Sequence, residues 1–174
     1  MNILFVCTGN TCRSPMAEAL LKEALRKAGR SGEHDILSAG ISAIETDYVS
    51  DGAVAEMSEV GIDIAGKSAN RVYAELLMDA DLVLTMTRFH REMLLSLFPD
   101  LEDKIFVFAD YLNQLLAGKL NLDEESNKED RNTGDMTFTV HYGEVLDPYG
   151  GSLDIYRRSR DQLAQMIDEL IKHI

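Results

Sequence analysis

The sequence predicts an α/β fold, a three-layer sandwich in which a central four-stranded parallel sheet carries helices on both faces. Three observations predict it. Short apolar runs recur along the chain, each the length of a buried strand. Stretches with apolar residues at helical spacing separate them, and strands that alternate with helices pair in parallel. The first apolar run, Ile3-Leu4-Phe5-Val6, empties into a glycine-containing loop that turns directly into a helix.

Taken in order, residues 2–7 form the first buried strand. A helix follows over 15–28, with Met16, Leu20, Leu21, Ala24 and Leu25 at helical spacing and Gly29 and Gly32 ending it. Ile36 to Ala39 is a short strand that closes on Ser38-Ala39-Gly40. Asp51 to Val60 reads as a helix closed by Gly61, and Ala80 to Met86 as a second buried strand. A helix over 88–97 is stopped by Pro99. Lys104 to Phe108 is the last strand and Tyr111 to Ala117 a helix. From Ser152 to Ile174 runs an amphipathic helix with Ile155, Leu163, Met166, Ile167 and Leu170 on one face. No internal repeat or boundary divides the chain, so residues 1–174 are expected to form one domain with a sizeable core. One segment differs. Residues 121–135 are polar, mostly acidic and nearly without apolar anchors, which reads as a loop insertion, either a solvated excursion or a substrate-selecting flap.

Composition narrows the function classes. The chain has 174 residues, 45% of them apolar, so it is globular rather than disordered. No apolar run approaches the ~20 residues that span a bilayer. The start lacks the basic region and cleavage site of a signal peptide, which makes the cytoplasm the expected location. The two cysteines lie five apart in one loop and cannot staple a fold, in keeping with a reducing compartment. A net charge of −13 argues against nonspecific binding to nucleic acid or anionic membrane. It favours basic partners, and any phosphate must be held by local geometry against the overall field.

That geometry is offered by Cys7-Thr8-Gly9-Asn10-Thr11-Cys12-Arg13-Ser14. A strand that ends in such a loop and becomes a helix points its amides and helix N-terminus at one spot, which makes an anion cup. Arg13 closes the first helical turn with a planar fork suited to two phosphate oxygens. Cys7 lies at the floor, where the same field stabilises a thiolate. Phosphate over a thiolate is a setup for nucleophilic phosphoryl transfer. Ser14 is placed to donate to the Cys7 sulfur, to serve as a cap or first-turn serine, or both. Cys12 is either inert filler or a partner that protects Cys7 by forming a disulfide under oxidation. Far along the chain, Asp147-Pro148-Tyr149-Gly150-Gly151 reads as a tight turn. Paired with the cup, its aspartate gains a role, because expelling a leaving group needs a proton. The four histidines, His34, His90, His141 and His173, are scattered and form no metal-ligand pattern. The cup does the charge work, so no metal or cofactor is expected.

The Cys7 to Ser14 stretch resembles the phosphate-binding loop of the low-molecular-weight protein tyrosine phosphatases, and is most similar to the branch that acts as protein arginine phosphatases. The resemblance covers roughly residues 1–112 and 140–174 and implies the low-molecular-weight phosphatase fold. It implies Cys7 as nucleophile, Arg13 as phosphate clamp, Asp147 as general acid and then base, and a phosphocysteine intermediate. The cup residues Thr8, Gly9, Asn10, Thr11 and Cys12, with Tyr149, would bind substrate or an inorganic phosphate or sulfate, and Asn10 and Ser38 would brace the loop. Two details favour phosphoarginine. Thr11 stands where tyrosine-specific relatives usually carry a bulkier aliphatic residue, and its hydroxyl could hydrogen-bond a guanidinium. Gly150 stands where they often carry a second aromatic, so one wall for a phenyl ring is missing. A phosphotyrosine phosphatase is the alternative within the family. An arsenate reductase would need further relay cysteines, and a noncatalytic phosphate-binding module would not need both Cys7 and Asp147. Two departures stand out. Residues 66–70, Gly-Lys-Ser-Ala-Asn, lack a histidine that supports the cup in some relatives, and 121–135 is longer than is typical.

Overall fold

The computed structural model describes residues 1–118 and 140–174. The elements are β1 (Asn2–Cys7), α1 (Arg13–Lys27), β2 (Asp35–Gly40), α2 (Asp51–Glu59), α3 (Ala74–Asp79), β3 (Leu82–Thr85), α4 (Arg88–Leu97), β4 (Ile105–Val107), α5 (Phe108–Leu116) and α6 (Leu153–Leu170). The four strands form one sheet in the order β2-β1-β3-β4, and every pairing is parallel.

Alternation along β1 explains the layers. Ile3, Phe5 and Cys7 belong to one apolar cluster with Met16 and Leu21 of α1, Met57 of α2, Phe108 of α5 and Leu163 of α6. Leu4 and Val6 belong to the other, with Leu77 of α3 and Leu94 of α4. A central strand buried on both faces must be apolar throughout, which is why 3–7 shows no polar residue. Helices α1, α2, α5 and α6 therefore cover one face, and α3 and α4 the other.

Parallel pairing brings the carboxyl ends of the strands to one edge, where ligands of such sheets bind. The register sets Cys7 beside Gly40 and Val6 beside Thr85. A buried ion pair locks α2 to α6. Arg160 Nη1 donates to Glu56 Oε2 at 3.1 Å and to the Glu56 carbonyl at 2.9 Å, with Glu56 only 1% exposed.

Several expected boundaries shift. Helix α1 starts two residues early, so Arg13 and Ser14 sit in its first turn. Lys104 to Phe108 is not all strand: Lys104 ends a 3-10 turn (Pro99–Lys104), and Phe108 already begins α5, ahead of the expected start at Tyr111. Helix α6 stops at Leu170, short of Ile174. The sequence reading missed α3, because six residues with three consecutive apolar ones carry no helical period. The 121–135 stretch lies outside the described residues.

Candidate active site

The loop between β1 and α1 is turned inside out by its own carbonyls. The Cys7 carbonyl accepts from Ile41 N–H (3.0 Å), that of Thr8 from Ser42 N–H (2.9 Å) and that of Thr11 from Ser50 N–H (2.9 Å). With these oxygens tied outward to the scaffold, the N–H groups of Thr8 through Cys12 donate to no backbone acceptor among the described residues. A row of unspent donors at a helix N-terminus is an anion nest. Cys7 sits at its base, 3% exposed, with Sγ 3.0 Å from Ser14 Oγ.

Asn10 holds the turn. It is the one non-glycine residue with positive φ among those described, at 55°, a strained conformation that asparagine tolerates better than most. Its fully buried side chain offsets that cost with three hydrogen bonds. Nδ2 donates to Ser14 Oγ and to Ser38 Oγ, each at 2.9 Å, and Oδ1 accepts from Asn70 N–H at 2.7 Å. The Asn10 side chain thus lies behind the cup and not in the cavity, whereas Thr8, Gly9, Thr11 and Cys12 line it. Cys12 is buried too, its Sγ 3.2 Å from Ser50 Oγ and 3.5 Å from the Tyr156 hydroxyl.

The bracing that the sequence left open at 66–70 comes from the Asn70 amide, on Asn10, and from a lysine. Ser38 donates to Glu18 Oε2 at 2.6 Å, and Lys67 pairs with the same oxygen. Burial alone would raise the Glu18 carboxyl, but Lys22, Lys67 and Ser38 together outweigh it and hold it below its ordinary value. Charge and hydrogen bonds therefore run from Lys67 through Glu18, Ser38, Asn10 and Ser14 to the Cys7 sulfur.

Asp147 meets the cup through Arg13. Arg13 Nη2 donates to Asp147 Oδ2 at 2.8 Å, and Tyr149 N–H donates to Oδ1 at 3.1 Å. Arg13 is 6% exposed at its side chain and Asp147 is 53% exposed, so the clamp is fixed while the carboxylate faces out. Gly150 takes φ +72° in the turn, and Gly151 N–H closes it on the Pro148 carbonyl at 2.9 Å. A cavity of about 230 Å³ results, lined by Cys7, Thr8, Gly9, Thr11, Cys12, Arg13, Asp47, Asp147 and Tyr149. A larger one, about 500 Å³, lies at the opposite ends of the strands, around Asn2, His34, Leu37 and Tyr73, and brings together none of the expected residues.

His90 escaped the sequence reading as one of four scattered histidines. Its placement just after β3, at the sheet edge that bears the cup, was the available signal. The ring bridges Thr8 Oγ1 (Nε2, 2.9 Å) and Thr87 Oγ1 (Nδ1, 3.0 Å). Burial, and then the Arg13 charge, push its pKa down to about 4, against Asp147 and Glu144, which pull it up. The folded value lies below the unfolded one of 6.5, so on acidification the unfolded chain takes a proton that the folded chain refuses. The His90 contribution to stability is unchanged above that pH and falls between 6.5 and about 4, by about 3 kcal/mol at the lower end. The expected result is a melting temperature that drops across this window and a flatter profile for His90→Gln. An unchanged acid profile in that variant would remove His90 as the cause.

Residues 2–140 match the model for low molecular weight phosphotyrosine protein phosphatase. The chain belongs to this family. Across all 174 residues it is 36% identical to a protein-arginine-phosphatase of Bacillus subtilis, covering 100% of this chain and 97% of the relative. It is 30% identical to the low molecular weight protein-tyrosine-phosphatase PtpB of Staphylococcus haemolyticus, over 98% of this chain and 97% of that one. Among solved structures, the YwlE arginine phosphatase mutant with a phosphorylated active-site serine superposes with a TM-score of 0.77 at 35% identity, covering 99% of this chain and 94% of that one. The sheet and its flanking helices are those of the low-molecular-weight phosphatases, and the protein is a cysteine-dependent phosphatase of phosphorylated proteins. Among the described residues no helix is long and apolar enough to cross a membrane.

Proposed function

We propose that this phosphatase hydrolyses phosphoarginine in proteins through a phosphocysteine intermediate. Cys7 attacks phosphorus in line, while the free amides and Arg13 take up the charge spread over the equatorial oxygens. The P–N bond breaks as the S–P bond forms; Asp147, released from Arg13 when the phosphate takes its place and protonated from solvent, delivers that proton to the departing guanidine nitrogen. Asp147 then removes a proton from water, whose oxygen attacks phosphorus and releases Cys7 as a thiolate. Ser14 serves the sulfur in both steps, 3.0 Å away. The phosphorylated serine in the YwlE mutant supports a covalent route.

The choice of arginine rests on one observation above others: Thr11 lines the same cavity as Cys7 and Asp147. A hydroxyl and a carboxylate suit the N–H groups of a guanidinium, and a phenyl ring offers them nothing to bind. Tyr149 supplies one aromatic side, 78% exposed, and Gly150 supplies none. The arginine phosphatase relative at 36% identity supports the same choice. Phosphotyrosine is the second reading, favoured by Tyr149 and by the PtpB relative.

A paired assay separates them. The native protein should show the higher kcat/KM on a phosphoarginine peptide than on a phosphotyrosine peptide of the same sequence. Thr11→Ile should lower the phosphoarginine value roughly ten- to a hundredfold and spare phosphotyrosine, since one lost hydrogen bond to a charged group is worth about 1.5–3 kcal/mol. Equal or better phosphotyrosine turnover by the native protein would overturn the arginine assignment.

A further inference from the structure

The loop from Ile41 to Ser50 forms a second wall of the cup, bonded to it at both ends by Ile41, Ser42 and Ser50. Between these ties stands Asp47, which lines the same cavity as Cys7 and Asp147. Its backbone is fixed on both sides: its N–H donates to the Ile44 carbonyl at 2.8 Å, and its carbonyl accepts from Ala69 N–H at 2.8 Å. The two carboxylates of the cavity are used differently. Asp147 is committed to Arg13, while Asp47, solvent-exposed, enters no ion pair among the described residues.

The charges lining the cavity make this arrangement selective. Arg13 is the single cation among the lining residues, and two of the others, Asp47 and Asp147, are acidic. A phosphoryl dianion brings more negative charge into the same space. A phosphotyrosine carries nothing to offset Asp47, which then repels it. A phosphoguanidinium carries its own positive charge directly beside the phosphorus. A carboxylate on a pinned backbone can receive that charge with little ordering cost.

We propose that Asp47 is a specificity-determining residue that binds the cationic guanidinium of the substrate and disfavours neutral phosphate esters. This rests on the phosphoarginine reading. It adds a residue of this chain that the cup motif and the Asp147 turn do not contain.

The same carboxylate chemistry could be met by the phosphorylated residue itself or by a basic residue next to it, and the assignment is to the former. The test uses Asp47→Asn, which keeps shape and removes charge, with three peptides: phosphoarginine in a neutral sequence, phosphoarginine flanked by lysine, and phosphotyrosine flanked by lysine. In the variant, kcat/KM on the neutral phosphoarginine peptide should fall about fivefold, mainly through KM, as expected for an exposed ion pair. The phosphotyrosine value should rise, and the native preference should weaken in high salt. No change in the arginine-to-tyrosine ratio overturns the proposal, and so does a loss seen only with lysine-flanked peptides. A native protein that prefers phosphotyrosine defeats the arginine reading instead, a result visible before any variant is made.

Discussion

Cys7→Ser should lower turnover by roughly 10⁵-fold, the scale on which removal of a catalytic nucleophile acts. A serine hydroxyl at this position has no base of its own: Ser14 Oγ, 3.0 Å from the sulfur, already accepts from Asn10 Nδ2. Attack on phosphorus then needs an alcohol to lose its proton, which is far harder than for a thiol. The cup itself is untouched. The Thr8 to Cys12 amides are turned inward by the outward ties of their carbonyls, and Arg13 is held by Asp147. Calorimetry should therefore show inorganic phosphate or vanadate binding to the variant within a few-fold of native affinity. Native-rate hydrolysis in Cys7→Ser would rule out Cys7 as the nucleophile, and loss of phosphate binding would rule out the amide cup as the seat of affinity.

Gly40→Ala should cost both rate and stability, though residue 40 does not line the cavity. A Cβ there would stand 2.6 Å from the Thr8 carbonyl oxygen, 2.7 Å from the Asn10 nitrogen and 2.8 Å from the Gly9 carbonyl carbon. All three are backbone atoms of the cup, so no side chain can swing away to make room. Residue 40 cannot retreat either. Its N–H donates to the Asn70 carbonyl at 2.8 Å, and its carbonyl accepts from Val72 N–H at 3.0 Å. The loop must move instead, and a displacement near 1 Å at a reacting centre costs about 10²-fold in rate. Overpacking of this kind also costs about 1–3 kcal/mol of stability. Steady-state kinetics and a thermal melt on one preparation check both numbers. A variant with native turnover and native melting temperature would show that the cup yields more easily than its hydrogen bonds imply.

These two variants mark the border of what could be read from the chain. Cys7, Arg13 and Ser14 are legible because eight contiguous residues build the cup, and the conformation of such a loop is set locally, by a strand before it and a helix after it. The four strands and most helices were legible for the same kind of reason: burial on two faces leaves a continuous apolar run, and burial on one leaves a helical period. Asp147 could be proposed from its turn, but its contact with Arg13 could not, since nothing local encodes a pairing across 134 positions.

The sequence by itself determined the fold class and the family, and it pointed to the cup loop with Cys7 at its floor. Only the tertiary structure decided what stands around the cup. Gly40, Asp47, Lys67 and His90 come from four separate segments, and each looked unremarkable where it stood. Parallel pairing carries the carboxyl ends of all four strands to one edge. The residues gathered there are neighbours through the sheet and not through the chain, so no spacing or period could announce them.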